Sequence, residues 1–173
     1  MGAHTSAARA AGDTRAVLDA VRRIVQALHE SSRWAEKHLG LTGAQLFVLQ
    51  ILAEAPGLSL NELAARTHTH QSSVSTVVAR LADRRLVVRA AAADDARRVR
   101  LRLSAEGRKL VRRAPDVAQQ RLIHGLARLA PTRRRALAAS LAALTTAMAL
   151  DDGQAAMFFD DAARRRRRTL RDA

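Results

Sequence analysis

Apolar positions along the first part of the chain recur at helical spacing. Val17, Val21, Ile24, Val25 and Leu28 share one face, and the pattern runs through Trp34 to Leu39 before Gly40 stops it. Thr42 and Gln45 then stand three apart, the spacing of a capping box in which each side chain satisfies a free amide at a helix start, with Leu41 and Leu46 placed as a hydrophobic staple. A second helix to about Glu54 follows, broken by Pro56 and Gly57. The signature recurs at Ser59 and Glu62 with Leu58 and Leu63. It predicts a short helix over Leu60 to Arg66, a turn through Thr67 to Thr69, and a helix over Gln71 to Arg84 with Val74, Val77, Val78 and Leu81 inward. Two short helices around a tight turn make a helix-turn-helix candidate.

Beyond this pair the period changes from helical to alternating. Leu86 to Arg89 reads as a short strand, and Arg98 to Leu103 alternates arginine with Val or Leu, which predicts Val99, Leu101 and Leu103 inward and Arg98, Arg100 and Arg102 outward. The pair forms a hairpin whose tip, Ala90 to Arg97, holds Asp94 and Asp95. Ser104 caps a long helix in which Pro115 should introduce a bend, while Gly107 replaces the Glu or Gln of a full capping box. Pro131 and Thr132 punctuate its end. Leu137, Leu141, Leu144 and Met148 give a last helix one narrow apolar stripe suited to helix packing.

Composition narrows the functions available. The 173 residues carry a net charge of +14, with 28 of the 30 basic residues being arginine, which favours a polyanionic partner. Ala and Arg together fill 66 positions, however, and such a bias has an ordinary compositional reading as well. Cysteine is absent, so disulfides, thiolate metal sites and cysteine nucleophiles are excluded. No apolar run approaches the ~18 residues of a spanning helix, and Met1 to Thr14 lacks the apolar core of a signal peptide. A cytoplasmic protein without a membrane partner is expected. No phosphate-binding glycine loop or nucleophile elbow occurs, so neither a cofactor nor an enzymatic activity is expected. His68 and His70 alone do not make a metal site.

Three stretches in this order resemble the MarR family of bacterial transcription regulators. Leu41 to Leu49 fits the pattern LTxxQxxVL; Leu63 to Arg66 with Val74, Val77, Arg80, Leu81, Leu86 and Val87 fits the family's helix-turn-helix without a gap; and Asp95-Ala96-Arg97 with Leu103-Ser104 fits the wing pattern DxR followed by LT. The resemblance implies a mainly α (α+β) fold, a winged helix-turn-helix with flanking dimerisation helices. The resemblance covers a domain over 14–150 (dimerisation helices at 14–39 and 104–150, winged helix-turn-helix at 41–103); the residues on either side read as a disordered leader at 1–13 and a charged tail at 151–173. Two departures stand out: the family usually has Gly where His68 stands and Ser at the cap where His70 stands, and histidine is a poor choice for both.

A helix entering the major groove presents its N-terminal side chains to base edges. Gln71, Ser72, Ser73, Ser75 and Thr76 occupy that part of the second helix, where Gln71 can pair bidentately with adenine; equally, short polar residues populate any solvated surface. Arg80 can meet a phosphate or guanine, or pair with Asp83 or Glu62. By the resemblance, Arg97 enters the minor groove and Asp95 orients it. Arg84, Arg85, Arg89, Arg98, Arg100 and Arg102 read as phosphate contacts. Ser59 to Arg113 holds thirteen basic and five acidic residues, a net of +8 on the DNA-binding half.

The implied function is a sequence-specific regulator, a ligand-responsive repressor binding double-stranded DNA at a pseudo-palindrome as a homodimer. Its implied effector pocket draws on His29, Arg33, Trp34, His38, Phe47 and His124, a set suited to a small aromatic or anionic effector, though a lone Trp or His on a helix face is more often a packed core residue. Two competing readings are a sequence-indifferent, nucleoid-type DNA-binding protein and a partner-binding protein of the same fold that no longer reads an operator. Five consecutive arginines, Arg164 to Arg168, follow Asp160 and Asp161 in the tail, and such a block is most often a solvated, mobile extension.

Overall fold

Helical segments and one hairpin account for the regular structure of the computed structural model. It describes residues 2–91, 99–150 and 157–158, with side chains at residue 9 and from residue 11 onward within those ranges. The order is α1 (Gly2–Leu39), α2 (Gly43–Glu54), α3 (Leu60–Thr67), α4 (Gln71–Asp83), β1 (Val87–Ala91), β2 (Val99–Leu103), α5 (Ala105–Arg113), α6 (Ala118–Ala127) and α7 (Pro131–Ala147). Helix α1 already begins at Gly2, so most of the expected disordered leader is helical. Its alanines, uninterrupted by proline, carry the helix backwards on propensity alone.

Both expected capping boxes are formed. Thr42 and Gln45 exchange backbone-to-side-chain hydrogen bonds at the start of α2, as do Ser59 and Glu62 at α3. Helix α2 is the centre of the molecule. Leu46, Phe47, Val48, Leu49 and Leu52 are buried around it together with Leu63, Val74, Val77, Val78 and Leu81 from the helix pair.

The hairpin pairs Val87 with Leu103, Arg89 with Leu101 and Ala91 with Val99. Leu101 also bonds back to the α2–α3 connection, accepting from the Gly57 N–H at 2.9 Å and donating to the Leu58 carbonyl at 2.8 Å. Leu101 and Leu103 reach the core as expected, but Val99 is half exposed. It shares their face of the strand yet lies beyond the edge of the core, where no described residue buries it.

Pro115 does more than bend a helix. Ala114 is extended, Val117 is extended too, and the expected long helix is two, α5 and α6. Proline lacks an N–H and pushes its predecessor out of the helical region, and a distant side chain holds the resulting gap. Buried Gln50 of α2 donates through Nε2 to the Pro115 carbonyl at 2.8 Å and accepts at Oε1 from the Val117 N–H at 3.1 Å. Ser31 Oγ of α1 accepts from the Ala118 N–H at 3.1 Å.

Candidate nucleic-acid interface

The α3–α4 turn is built on a left-handed residue. His68 has φ of 50° and closes α3, with the His68 N–H bonding the Ala65 carbonyl and the Thr69 N–H bonding the Ala64 carbonyl, the paired pattern that ordinarily favours glycine. Arg85 at φ of 58° ends α4 in the same way. A Cβ in this region costs about 1 kcal/mol. His68→Gly should therefore raise stability by about 0.5–1 kcal/mol, read as a higher midpoint in urea. A lower midpoint would mean that the imidazole makes a contact worth more than the strain.

His70 gives no side-chain cap to α4. The helix starts at Gln71 nonetheless, because Val74, Val77, Val78 and Leu81 are all buried and fix its position from the other face. This orientation leaves Gln71, Ser72 and Thr76 exposed and Ser73, Ser75 and Arg80 half-buried. Thr76 Oγ1 donates to the Ser72 carbonyl at 3.1 Å, so its hydroxyl is turned back on the helix. The first turn of α4 is a polar, outward-facing surface with no acidic residue.

Arginines assigned to phosphates divide into two groups. Arg84 donates to the Gly40 carbonyl at 2.6 Å, tying the end of α4 to the end of α1. Arg100 donates to Glu62 at 2.9 Å and to the Gly57 carbonyl at 3.3 Å. These two brace the domain. Arg85, Arg89 and Arg102 are exposed and remain suited to an external anion. Glu62 itself is held below the ordinary carboxylate range, first by the Ser59 backbone N–H, then by the Ser59 hydroxyl, with Arg100 adding to both. Asp95, Arg97 and Arg98 lie outside the described residues.

The residues suggested for an effector pocket are dispersed. Phe47 is wholly inside the core. His38 stacks on Trp34 with ring centroids 4.6 Å apart, and its Nδ1–H donates to the Trp34 carbonyl at 2.9 Å. His29, Arg33 and His124 are exposed. Of the six, Trp34 alone lines one of the described cavities, about 220 Å³, together with Ser31, Pro115, Asp116 and Arg121. A larger cavity, about 620 Å³, lies between the α3–α4 turn and α6. Sequence periodicity gives no sign of it, because it depends on the break at Pro115 that redirects α6. Among the described residues no cluster of three or more His, Asp and Glu could hold a metal ion, and no helix is long and apolar enough to cross a membrane.

Residues 39–98 match the model of the MarR family. The HTH-type transcriptional repressor Rv2887 of Mycobacterium tuberculosis is 35% identical over 97 residues, covering 56% of this chain and 70% of the relative. Among solved structures, BpsR of Bordetella bronchiseptica, whose DNA binding is regulated by 6-hydroxynicotinic acid, is 28% identical with a TM-score of 0.51, covering 75% of this chain and 92% of that one. The transcriptional regulator BldR of Sulfolobus solfataricus shares the fold at 21% identity and a TM-score of 0.51, covering 78% and 95% of the two chains.

Proposed function

Because the chain belongs to the MarR family of transcriptional regulators, we propose that it is a ligand-responsive repressor in which α4 reads the major groove of an operator and the wing reads the adjacent minor groove. The observation that carries this reading is the outward, acid-free first turn of α4, held in place by four buried side chains on its opposite face. Gln71 is the base-reading side chain, Ser72, Ser73, Ser75 and Thr76 complete the contact surface, and Arg80, Arg89 and Arg98 take phosphates. Asp95 orients Arg97 in the minor groove.

Two titrations test these roles. Gln71→Ala should reduce the preference for operator over random duplex by about 1–3 kcal/mol; an equal loss on both would make Gln71 a backbone contact. Arg97→Ala should weaken operator binding by about 1 kcal/mol or more while leaving the melting curve in place, and unchanged affinity would remove it from the interface.

A homodimer supplies the second half-site. Support comes from apolar side chains that one chain leaves in water: Val17, Val21, Ile24 and Val25 on α1, and Leu137, Leu141, Leu144 and Met148 on α7, are all more than a third exposed. Helix α7 has no buried residue at all. We assign dimerisation to 14–39 and 104–150, which would set two α4 helices about 34 Å apart on one face of the duplex. The effector is a small aromatic anion, a choice supported by 6-hydroxynicotinic acid acting on BpsR. Trp34, with Arg121 across its cavity, offers a stacking face and a cation. Such a ligand acts only by binding one spacing of the two α4 helices better than another.

A further inference from the structure

Another cavity, of about 630 Å³, opens where the end of α2, the foot of the hairpin and α5 meet. Buried Leu52 and Leu103 with half-buried Val111 form its apolar floor. Its charged side chains are Arg102 of β2 and Arg108 and Arg112 of α5, all exposed, and among the described residues no Asp or Glu lines it. Arg108 and Arg112 stand four apart on one helix face, where like charges repel. Among the described residues no carboxylate pairs with any of the three. Arg108 is held in place by donating to the Leu103 carbonyl at 2.9 Å, which leaves most of its guanidinium donors unused. Val88, cross-strand from Arg102, adds an apolar side chain that is 45% exposed.

We propose that this cavity binds a small amphipathic anion, a carboxylate on an apolar body, and that the bound anion competes with DNA for Arg102. Volume and charge together select the ligand. The cavity falls within the roughly 300–1,000 Å³ of sites for drug-sized molecules, which combine apolar walls with a few convergent polar groups. Guanidinium forks match a carboxylate bidentately, and three of them disfavour a cation. No residue is shared with the Trp34 cavity of about 220 Å³, so a body too large for that one has room here. Neither α1 nor α7, whose exposed apolar stripes support the dimer, lines it. Competition follows from the place of Arg102 on the hairpin, exposed and equally suited to a phosphate of the duplex. That half of the inference rests on the hairpin meeting DNA as a wing.

Calorimetric titration of the DNA-free full chain with naphthoate, and with naphthamide as its uncharged counterpart, tests the site. Naphthoate should bind about tenfold or more tightly than naphthamide, as expected of a charge-assisted hydrogen bond. Arg112→Ala should remove about that advantage. Ala53 lines the cavity from α2, and Ala53→Phe, which keeps every arginine but puts a ring into the space, should abolish binding. Melting curves identify any loss due to unfolding. Saturating naphthoate should also weaken binding to a duplex from upstream of the chain's own coding sequence by several-fold, and Arg102→Ala, weaker on DNA from the start, should lose that response. No binding of naphthoate, equal affinity for naphthoate and naphthamide, or binding that Arg112→Ala and Ala53→Phe both leave intact would each overturn the site. Naphthoate binding with unchanged DNA affinity would overturn the competition. A chain that binds no duplex would instead remove the DNA-binding reading, while the titrations on the free protein still decide the site.

Discussion

Replacing Gln50 by alanine should cost about 2–4 kcal/mol of folding stability, one of the two largest single-residue effects expected in this protein. Gln50 is 5% exposed, and both ends of its amide are used across the break between α5 and α6. Alanine would leave the buried Val117 N–H without a partner and open space beside α2. The consequence reaches function as well as stability. The break lets α6 turn back onto α1, so a loosened break should also blur the spacing between the two α4 helices of a dimer. Chemical denaturation measures the first effect. A loss below about 1 kcal/mol would mean that water replaces the amide at little cost.

Gly107→Ala should be comparably damaging, at about 2 kcal/mol or more, although alanine is the better helix former by about 1 kcal/mol. A Cβ there would sit 2.3 Å from the Leu86 carbonyl oxygen and 3.2 Å from its carbon. The obstacle is backbone and cannot rotate away. That same oxygen accepts from the Ser104 N–H, while Ser104 Oγ caps α5 through the Gly107 N–H at 3.0 Å. Alanine would force β1, β2 and the start of α5 apart, so the melting midpoint and operator affinity should fall together. An unchanged midpoint would show that α5 can slide by the required distance.

These two positions also mark where sequence reading stops. Local signals were legible: the capping boxes of Thr42 and Ser59, the strand at Leu101 and Leu103, and the buried face of α4 all depend on neighbours within four residues. Gly107 reads in sequence only as a missing cap partner, because the carbonyl that demands it is 21 positions away. Pro115 announces an interruption, but whether it bends or breaks the helix depends on Gln50, 65 residues upstream. Arg84 and Arg100 look like their exposed neighbours in sequence, yet Gly40, Gly57 and Glu62 occupy them. The burial of Met157 leaves no periodic trace, since this residue belongs to no helix or strand.

Function was legible at the level of motif order and less so at the level of individual side chains. The helix pair and hairpin carry the family pattern because the fold needs those apolar positions in that order. Effector residues carry no such constraint. Phe47 suits a pocket by type, and the packing of α2 spends it wholly on the core.

The central claim is that α4 reads sequence. Its most direct test is an anisotropy titration of the full chain on a duplex from upstream of its own coding sequence against a scrambled duplex of the same composition, at one salt concentration. A regulator that reads base edges should favour the first by about a thousandfold or more. Equal affinity for the two would contradict the account and leave a basic protein that binds DNA by charge alone.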